Sequence, residues 1–517
     1  MNKSINNSAR SESFTKSAIT LCLIMIFGKV VGAFYRLPLT NILGPLGIGF
    51  YQMVFPLYSL ILTISSSAIP HALSKLISER RAQNKTMEVG QIFFCAAIWL
   101  VLIGFAFATL VCLFSKQIAQ IQGNGDIYFC YYAISPAIIF AGLISVYRGY
   151  FQGYRRFIPS GVSALIEQLI KMIAGLILAS IFIKRGALWG VFGALVGISI
   201  SELVSLFYLV IIYLTEKEKT SFNASCLNFK YSSRCIGKIC LPLTIGGLIL
   251  PLIQFIDSGL VVRLLECAGF GASTSTSLFG ISTGAVGSLI NLPVVLSLSL
   301  SSAVLPNVAA LGIKNNNKVL KQTITKSIIL CFMLVLPCAV GFIVLKKPII
   351  TLLYGKSFNG EQIILASNLL QIGAFSVIFL AFLQVFSGIL HGFGKYYLPT
   401  LALVAGGLIK LIVSVVLIKN PYINIFGDQI SNIICFFVAS FICFLYIKKY
   451  LNKNVFIDLF GIIASAATMA AFITILMPLF NNYIIGLILC IILGGFVYAA
   501  TLTIFYNFAG KKHCFFS

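Results

Sequence analysis

Long apolar segments, each close to the length that crosses a bilayer, follow one another along almost the whole chain. A hydrocarbon core about 30 Å thick needs about 20 apolar residues per helix, which gives about fourteen spans here. They lie near residues 17–42, 48–78, 90–114, 127–151, 158–183, 187–214, 237–264, 277–311, 322–345, 363–391, 397–418, 428–447, 456–480 and 483–507. Of the 517 residues, 59% are hydrophobic and 10% are charged, which is more apolar surface than a soluble chain can bury. The sequence therefore predicts an all-α polytopic membrane protein.

The distribution of basic residues predicts how these spans are oriented. The formal net charge of +24 would suggest nucleic-acid binding in a soluble chain. Here one set of alternate loops, together with both termini, holds about three times as many Lys and Arg as the other set. Because cytoplasmic loops carry this excess, we predict a multi-pass plasma-membrane protein with cytoplasmic termini and no nucleic-acid partner. Arg80, Arg81 and Arg148 are counted among the cytoplasmic loop cations.

Two pairs of similar segments indicate an internal repeat. Residues 147–175 resemble 386–414, and residues 62–76 resemble 298–312. The offset contains an even number of spans, so the two halves have parallel topology, a transporter layout with the substrate path between the halves. We predict two pseudo-symmetric six-helix bundles followed by two further helices.

This repeat predicts the domain boundaries. They are a cytoplasmic N-terminus (1–16), an N-terminal six-helix bundle (17–214), a cytoplasmic linker (215–236), a C-terminal six-helix bundle (237–449), two extra C-terminal helices (450–510) and a cytoplasmic tail (511–517).

Cations inside the apolar spans are the first candidates for a functional site. Lys29 and Arg36 lie seven residues apart in the first span, so a helix places them on one face. A cation at the centre of a membrane helix costs about 2.5–3.5 kcal/mol, so it is retained where it contacts water, a partner or an anion. With Lys75, Arg263 and Lys410 they are predicted to line a cationic, substrate-binding cavity. For Arg36 and Lys75, snorkelling of the side chain to the membrane interface is the alternative.

Acidic residues inside the spans have two interpretations that the sequence leaves open. Asp257, Glu167 and Glu202 either bind a coupling H⁺ or Na⁺ or belong to structural ion pairs. Glu167 precedes Lys171 by four residues, the favourable order for a pair within one helix. Glu202 has no partner near it in the sequence.

Motifs for enzyme chemistry give little support to a catalytic function. The sequence contains no HExxH and no P-loop motif, and its three histidines are too far apart for a local metal motif. We predict a transporter and not an enzyme, with no catalytic residue, no metal and no cofactor other than a coupling ion. A membrane enzyme acting on polyprenyl-linked glycans is the alternative, and such enzymes usually present acids or a histidine in large outer loops. The predicted outer loops are short and contain few acids, which are Asp126, Glu266, Glu361 and Asp428.

Residues 28–58, GKVVGAFYRLPLTNILGPLGIGFYQMVFPLY, and residues 65–79, SSSAIPHALSKLISE, carry a family resemblance. They resemble SpoVB-type proteins of spore-forming bacteria, in the polysaccharide-exporter (MOP) superfamily that also holds MurJ-type lipid II flippases and MATE transporters. The resemblance covers nearly the whole chain. It implies a flippase that moves a polyprenyl-diphosphate-linked cell-wall precursor, lipid II or a similar molecule, from the inner to the outer leaflet by alternating access.

The resemblance also implies a role in spore cortex peptidoglycan. The lipid-linked oligosaccharide and the bilayer are the implied partners, and cell-wall synthesis proteins are candidate partners. A MATE-like cation or drug antiporter is the alternative within the superfamily. It requires acids in its cavity, whereas the first span here contains no Asp or Glu.

Overall fold

The computed structural model describes residues 2–215, 229–313, 317–451, 455–480 and 483–508, and every regular element in these ranges is a helix. The predicted all-α class is therefore confirmed. Most of the predicted linker and the whole predicted C-terminal tail lie outside the described residues.

The chain divides into two compact units. The first comprises the chain through Arg263 together with Ala272–Ser277, and the second comprises Leu264–Gly271 and the chain from Leu278 onward. The helix after the predicted linker thus groups with the first unit through Arg263. The six-helix boundaries drawn from the repeat stay a prediction.

The first unit is built from long helices and two short ones. Its described helices are α1 (Asn2–Ser65), α2 (Ile69–Ala82), α3 (Thr86–Leu113), α4 (Ser115–Ile121), α5 (Tyr128–Gly153), α6 (Phe157–Phe182), α7 (Ala187–Thr215) and α8 (Phe229–Cys267).

The helix α1 folds back on itself at Gly44. This residue has φ +67° and ψ −179°, a conformation that glycine alone adopts without strain. The Arg36 guanidinium lies 5.6 Å from the centre of the Phe55 ring. In a straight helix, residues nineteen apart would be separated by about 28 Å. The chain therefore reverses between them, and α1 supplies two membrane crossings.

Small residues bring α6 and α7 into close backbone contact. A Cβ added to Gly197 of α7 would collide with the Cα of Gly175 of α6. Small side chains at such contacts let membrane helices approach closely. Lys171 lies one turn before Gly175, and Glu202 lies just over one turn after Gly197 on the antiparallel helix. The contact therefore brings Lys171 and Glu202 to the same level.

The second unit contains the remaining described helices. They are α9 (Ala272–Phe279, whose first six residues belong to the first unit), α10 (Gly287–Ile313), α11 (Asn317–Val344), α12 (Lys346–Tyr354), α13 (Gly360–Gly392), α14 (Tyr397–Ile418), α15 (Phe426–Ile447), α16 (Val455–Leu476) and α17 (Tyr483–Phe508), with a π-helical turn at Gly280–Val286.

The last two helices pack on α11. Phe332 of α11, Met469 of α16 and Cys490 of α17 belong to one apolar core. Tyr498 of α17 donates a hydrogen bond to the Met333 carbonyl at 2.9 Å. These contacts attach the two predicted extra helices to the second unit.

Thirteen helical segments in the described residues are long and apolar enough to cross a membrane. The first of them, Val30–Ala82, has 53 residues, about 80 Å of helix, which is more than twice the thickness of the hydrocarbon core. With the reversal at Gly44 it accounts for two crossings. The structure thus agrees with the fourteen spans counted in the sequence.

Candidate functional site: a polar core inside the first unit

Six charged or hydroxyl-bearing side chains converge inside the first unit, contributed by α1, α5, α6 and α7. We call this set the unit-1 polar core, and it consists of Arg36, Tyr58, Arg148, Glu167, Lys171 and Glu202. All six lie within the helices that are apolar and long enough to cross the membrane. Each charge must therefore be compensated by the others or by a ligand.

Arg148 and Glu167 form the closest ion pair of this core. Arg148 Nη2 donates to Glu167 Oε2 at 2.8 Å, and Arg148 Nε donates to Ser163 Oγ at 2.9 Å. Gln168 Nε2 donates to the other carboxylate oxygen, Oε1, at 3.1 Å. The side chains of Arg148 and Glu167 are 21% and 17% exposed, so the pair is largely shielded from solvent.

This pair corrects two expectations drawn from the sequence. Arg148 was predicted to be a loop cation, and that was wrong, because α5 continues to Gly153 and holds Arg148 inside the bundle. Glu167 was expected to pair with Lys171 of its own helix. Its ion pair is instead with Arg148, while Lys171 interacts electrostatically with both Glu167 and Glu202.

Glu202, which had no partner near it in the sequence, has one in the structure. Its side chain is 5% exposed, and its Oε1 accepts a hydrogen bond from the Tyr58 hydroxyl at 2.9 Å. Its charged neighbours are Glu167 and Lys171 of α6 and Arg148 of α5. Tyr58 lies 144 residues away in the chain, so neither helical spacing nor the repeat could reveal the contact.

Arg36 is held by an aromatic contact. Its guanidinium lies over Phe55, and Tyr35 and Tyr51, both 2% exposed, are within its electrostatic reach. Lys171 is close enough to Arg36 for the two cations to repel each other. An aromatic face attracts a cation but carries no net charge. The positive charge of Arg36 thus stays available to an anion.

The other cations predicted to line a cavity lie in different surroundings. Lys75 forms an ion pair with Glu79 at 4.0 Å, with side chains 62% and 53% exposed. Arg263 Nη2 donates to the Gln120 carbonyl at 2.7 Å. Lys29 lies on α1, and its side chain lies outside the part that the structure describes.

Lys410 and Asp257 are both buried, at 3% and 6% exposure. Lys410 belongs to α14 of the second unit, whereas Asp257 belongs to the part of α8 that groups with the first unit. Lys410 is aligned with Lys171 in the repeat, so both halves of the chain keep a lysine inside a membrane helix.

The second unit contains a buried carboxylate that sequence reasoning placed in a loop. Asp428, predicted as an outer-loop acid, is 1% exposed because α15 already begins at Phe426. Ser282 donates to Asp428 Oδ2 at 2.5 Å, and Gln429 Nε2 donates to Ser282 Oγ at 2.7 Å. Residues 280–284, GISTG, match a G-x-S-x-G pattern. That pattern marks a nucleophile only between a strand and a helix, and here Ser282 lies within a π-helical turn.

Metal chemistry has no candidate site in the described ranges. No group of three or more His, Cys, Asp and Glu side chains there is arranged to hold an ion. Histidines, thiolates and carboxylates at short spacing are the usual ligands of catalytic metals.

Comparisons with known proteins identify the fold and the family. A family model described as "Polysaccharide biosynthesis protein" matches residues 14–312, and the MatE model matches residues 242–416. Stage V sporulation protein B of Bacillus subtilis (strain 168) is 25% identical over 350 residues, which cover 67% of this chain and 68% of that protein. Lipid II flippase MurJ of the same organism is 24% identical over 472 residues, which cover 85% of this chain and 83% of that protein.

A solved structure shares the architecture. The lipid II flippase MurJ in its inward closed conformation superposes with a TM-score of 0.73 at 17% sequence identity, covering 95% of this chain and 99% of that one. At this identity the likeness concerns the fold. The chain therefore belongs to the polysaccharide biosynthesis protein family, and its predicted SpoVB-type membership of the polysaccharide-exporter (MOP) superfamily is confirmed.

Proposed function

We propose that this MOP-superfamily transporter is a flippase for a polyprenyl-diphosphate-linked cell-wall precursor, similar to lipid II, which it moves from the inner to the outer leaflet. The observation that carries the proposal is the charge of the unit-1 polar core. Its three cations, Arg36, Arg148 and Lys171, exceed its two carboxylates, Glu167 and Glu202, by one positive charge at membrane depth. A diphosphate supplies the compensating negative charge.

The chemistry of the available cations suits a diphosphate. Arg148 is already paired with Glu167, which leaves Arg36 and Lys171 as the principal candidates. A guanidinium presents a planar fork of N–H donors that matches phosphate oxygens, and an ammonium acts as a point charge. Lys29, Arg263 and Lys410 stay predicted contributors. Lys75 is the weakest candidate among the predicted substrate-binding cations, because it already forms an exposed ion pair with Glu79.

Alternating access would carry the bound headgroup across the membrane while the polyprenyl tail stays in lipid. In transporters built from two parallel repeats, one half rocks against the other around a fixed site. The membrane potential acts at about 2.3 kcal/mol per charge per 100 mV, which favours the return of an empty, cationic carrier.

The direct test uses the purified full-length protein in liposomes with a fluorescent lipid II analogue. A membrane-impermeant quencher then reports the fraction of the analogue in the outer leaflet over time. We expect faster transfer than in protein-free vesicles. The MatE match and the two carboxylates of the unit-1 polar core, Glu167 and Glu202, support a cation or drug antiporter as the second candidate. Ion-driven uptake of a cationic dye, with no transfer of the lipid, would favour that function.

Glu202→Gln tests whether the buried carboxylate couples transport to an ion gradient. Glutamine can still accept the Tyr58 hydrogen bond but cannot bind a proton or balance Na⁺. We expect imposed H⁺ or Na⁺ gradients to accelerate transfer by the unmodified protein and to leave the variant unaffected. Tyr58→Phe is the matched control, because it removes the hydrogen bond and retains the carboxylate. Gradient dependence that survives in Glu202→Gln would leave Glu202 with a structural role.

The cellular setting is proposed on the same basis. Plasma-membrane insertion with both termini in the cytoplasm follows from the distribution of loop cations. The similarity to stage V sporulation protein B supports a role in spore cortex peptidoglycan, with cell-wall synthesis proteins as candidate partners.

A further inference from the structure

The first fourteen residues of α8, Phe229–Pro242, form a segment that precedes the apolar span beginning at Leu243. One side of this segment packs against α2 and α3 of the same unit. Arg80 donates to the Tyr231 hydroxyl at 2.6 Å, and Trp99 Nε1 donates to Ser233 Oγ at 2.7 Å. The Phe229 ring stacks on Trp99 with centroids 5.7 Å apart. The segment is therefore held in a defined position.

The other side of the segment presents a row of cations. Lys230, Arg234 and Lys238 are all exposed, and their spacing of four residues aligns them along one face. Phe229–Pro242 contains no acidic residue. Glu88 is already paired with two other cations, with Arg80 at 3.1 Å and with Lys85 at 3.1 Å. We call the three exposed cations the α8 cationic row.

The same face becomes apolar where the span begins. Leu241 follows Lys238 by three residues and Ile245 follows Leu241 by four, and the two side chains are 65% and 54% exposed. Exposed leucine and isoleucine at that depth fit acyl chains, and the tryptophan beneath the segment is a residue type enriched at the membrane–water interface. The change from cationic to apolar thus marks the level of the lipid phosphates.

We propose that the α8 cationic row binds the phosphate headgroup of an anionic phospholipid, whose acyl chains lie along Leu241 and Ile245. The three cations span about 12 Å, since each step of four residues rises about 6 Å. Basic residues at a membrane surface each add to the attraction for anionic lipid, and three together correspond to about 100-fold in binding. This binding is a property beyond the proposed transport of a lipid-linked substrate and does not depend on it.

The chain offers its own reporter for this test. It contains two tryptophans, and Trp189→Phe leaves Trp99, beneath the segment, as the only one. The full-length protein is placed in nanodiscs that contain phosphatidylglycerol or phosphatidylcholine brominated near the glycerol end of the acyl chains. Bromine quenches tryptophan fluorescence at short range, and Trp99 is 40% exposed, so the ratio of quenching constants gives the lipid preference around the segment.

Three outcomes are informative. We expect clear preference for phosphatidylglycerol, lost when Lys230, Arg234 and Lys238 are replaced by alanine and retained in Lys230→Arg/Lys238→Arg. The matched control replaces three exposed lysines scattered over separate loops, Lys184, Lys356 and Lys419, which removes the same net charge. If the control loses the preference for phosphatidylglycerol to the same extent, the preference depends only on the net charge of the protein, and the proposal is overturned. No preference in the parent, or an unchanged preference in the alanine variant, would also overturn it.

One further arm separates lipid from substrate. Undecaprenyl diphosphate added at stoichiometric amounts should leave quenching by phosphatidylglycerol unchanged. Displacement at that level would assign the row to the substrate path and overturn the assignment to bulk phospholipid.

Discussion

Replacement of Arg36 by alanine is expected to slow lipid transfer by about 10- to 150-fold. Arg36 is a cation of the unit-1 polar core, and its guanidinium lies over the Phe55 ring. Among the described residues it forms no ion pair, whereas Arg148 pairs with Glu167. Removing it leaves two cations against two carboxylates, so the core no longer has a surplus charge for a diphosphate. Hydrogen bonds to charged groups contribute about 1.5–3 kcal/mol, and this range corresponds to the expected loss.

The matched control is Lys75→Ala, which removes the same charge from an exposed ion pair. Surface pairs contribute at most about 1 kcal/mol, so this variant should retain nearly full transfer and stability. Arg36→Lys should retain part of the activity, because it keeps the charge and loses the fork. Size-exclusion and thermal-unfolding profiles of all three should match those of the parent. Full transfer by a folded Arg36→Ala variant would contradict a role of Arg36 in binding the substrate.

The fold was accessible from the sequence because membrane spans are encoded locally. The length of each apolar segment and the positions of the polar segments between them are enough to count the membrane crossings. The reversal at Gly44 lies between the predicted spans 17–42 and 48–78. The repeat revealed two halves but not that α8, through Arg263, groups with the first unit. That grouping depends on contacts such as the one between Arg263 and Gln120, 143 residues apart.

The candidate site could be predicted only in part from the sequence, and the reason is also physical. Charges inside spans are conspicuous, so Arg36, Lys171 and Glu202 could be selected from the sequence alone. Their partners could not, because local spacing favours a neighbour four residues away over one on another helix. Arg148 lies five residues before the end of α5, where composition does not separate a loop cation from a buried one. Asp428 presents the same ambiguity at the start of α15.

Breaking the Arg148–Glu167 pair is expected to destabilise the protein more than breaking any other ion pair of the described residues. Arg148→Met leaves Glu167 with Lys171 as its remaining cationic neighbour on the same helix, and Glu167→Gln leaves Arg148 with Ser163 alone among its hydrogen-bond partners in the described residues. Removing one member of a fully buried pair costs about 3–5 kcal/mol. The side chains of this pair are 21% and 17% exposed, and Lys171 and Glu202 stay near the remaining charge, so we expect a loss near the lower end of that range. Each single variant should therefore unfold at a clearly lower temperature or denaturant concentration.

The double variant Arg148→Met/Glu167→Gln separates pairing from packing. It removes both charges, so no charge is left without its partner. It should therefore recover most of the stability lost in either single variant, with a coupling free energy of about 2 kcal/mol or more. The exposed pair supplies the control, since Lys75→Ala/Glu79→Ala should change the free energy of unfolding by less than about 1 kcal/mol. Additive losses in the double variant would mean that the two side chains stabilise the bundle independently. If the double variant is stable but fails to transfer lipid, the pair is needed to set the position of Lys171 and Glu202, because both lie within its electrostatic reach.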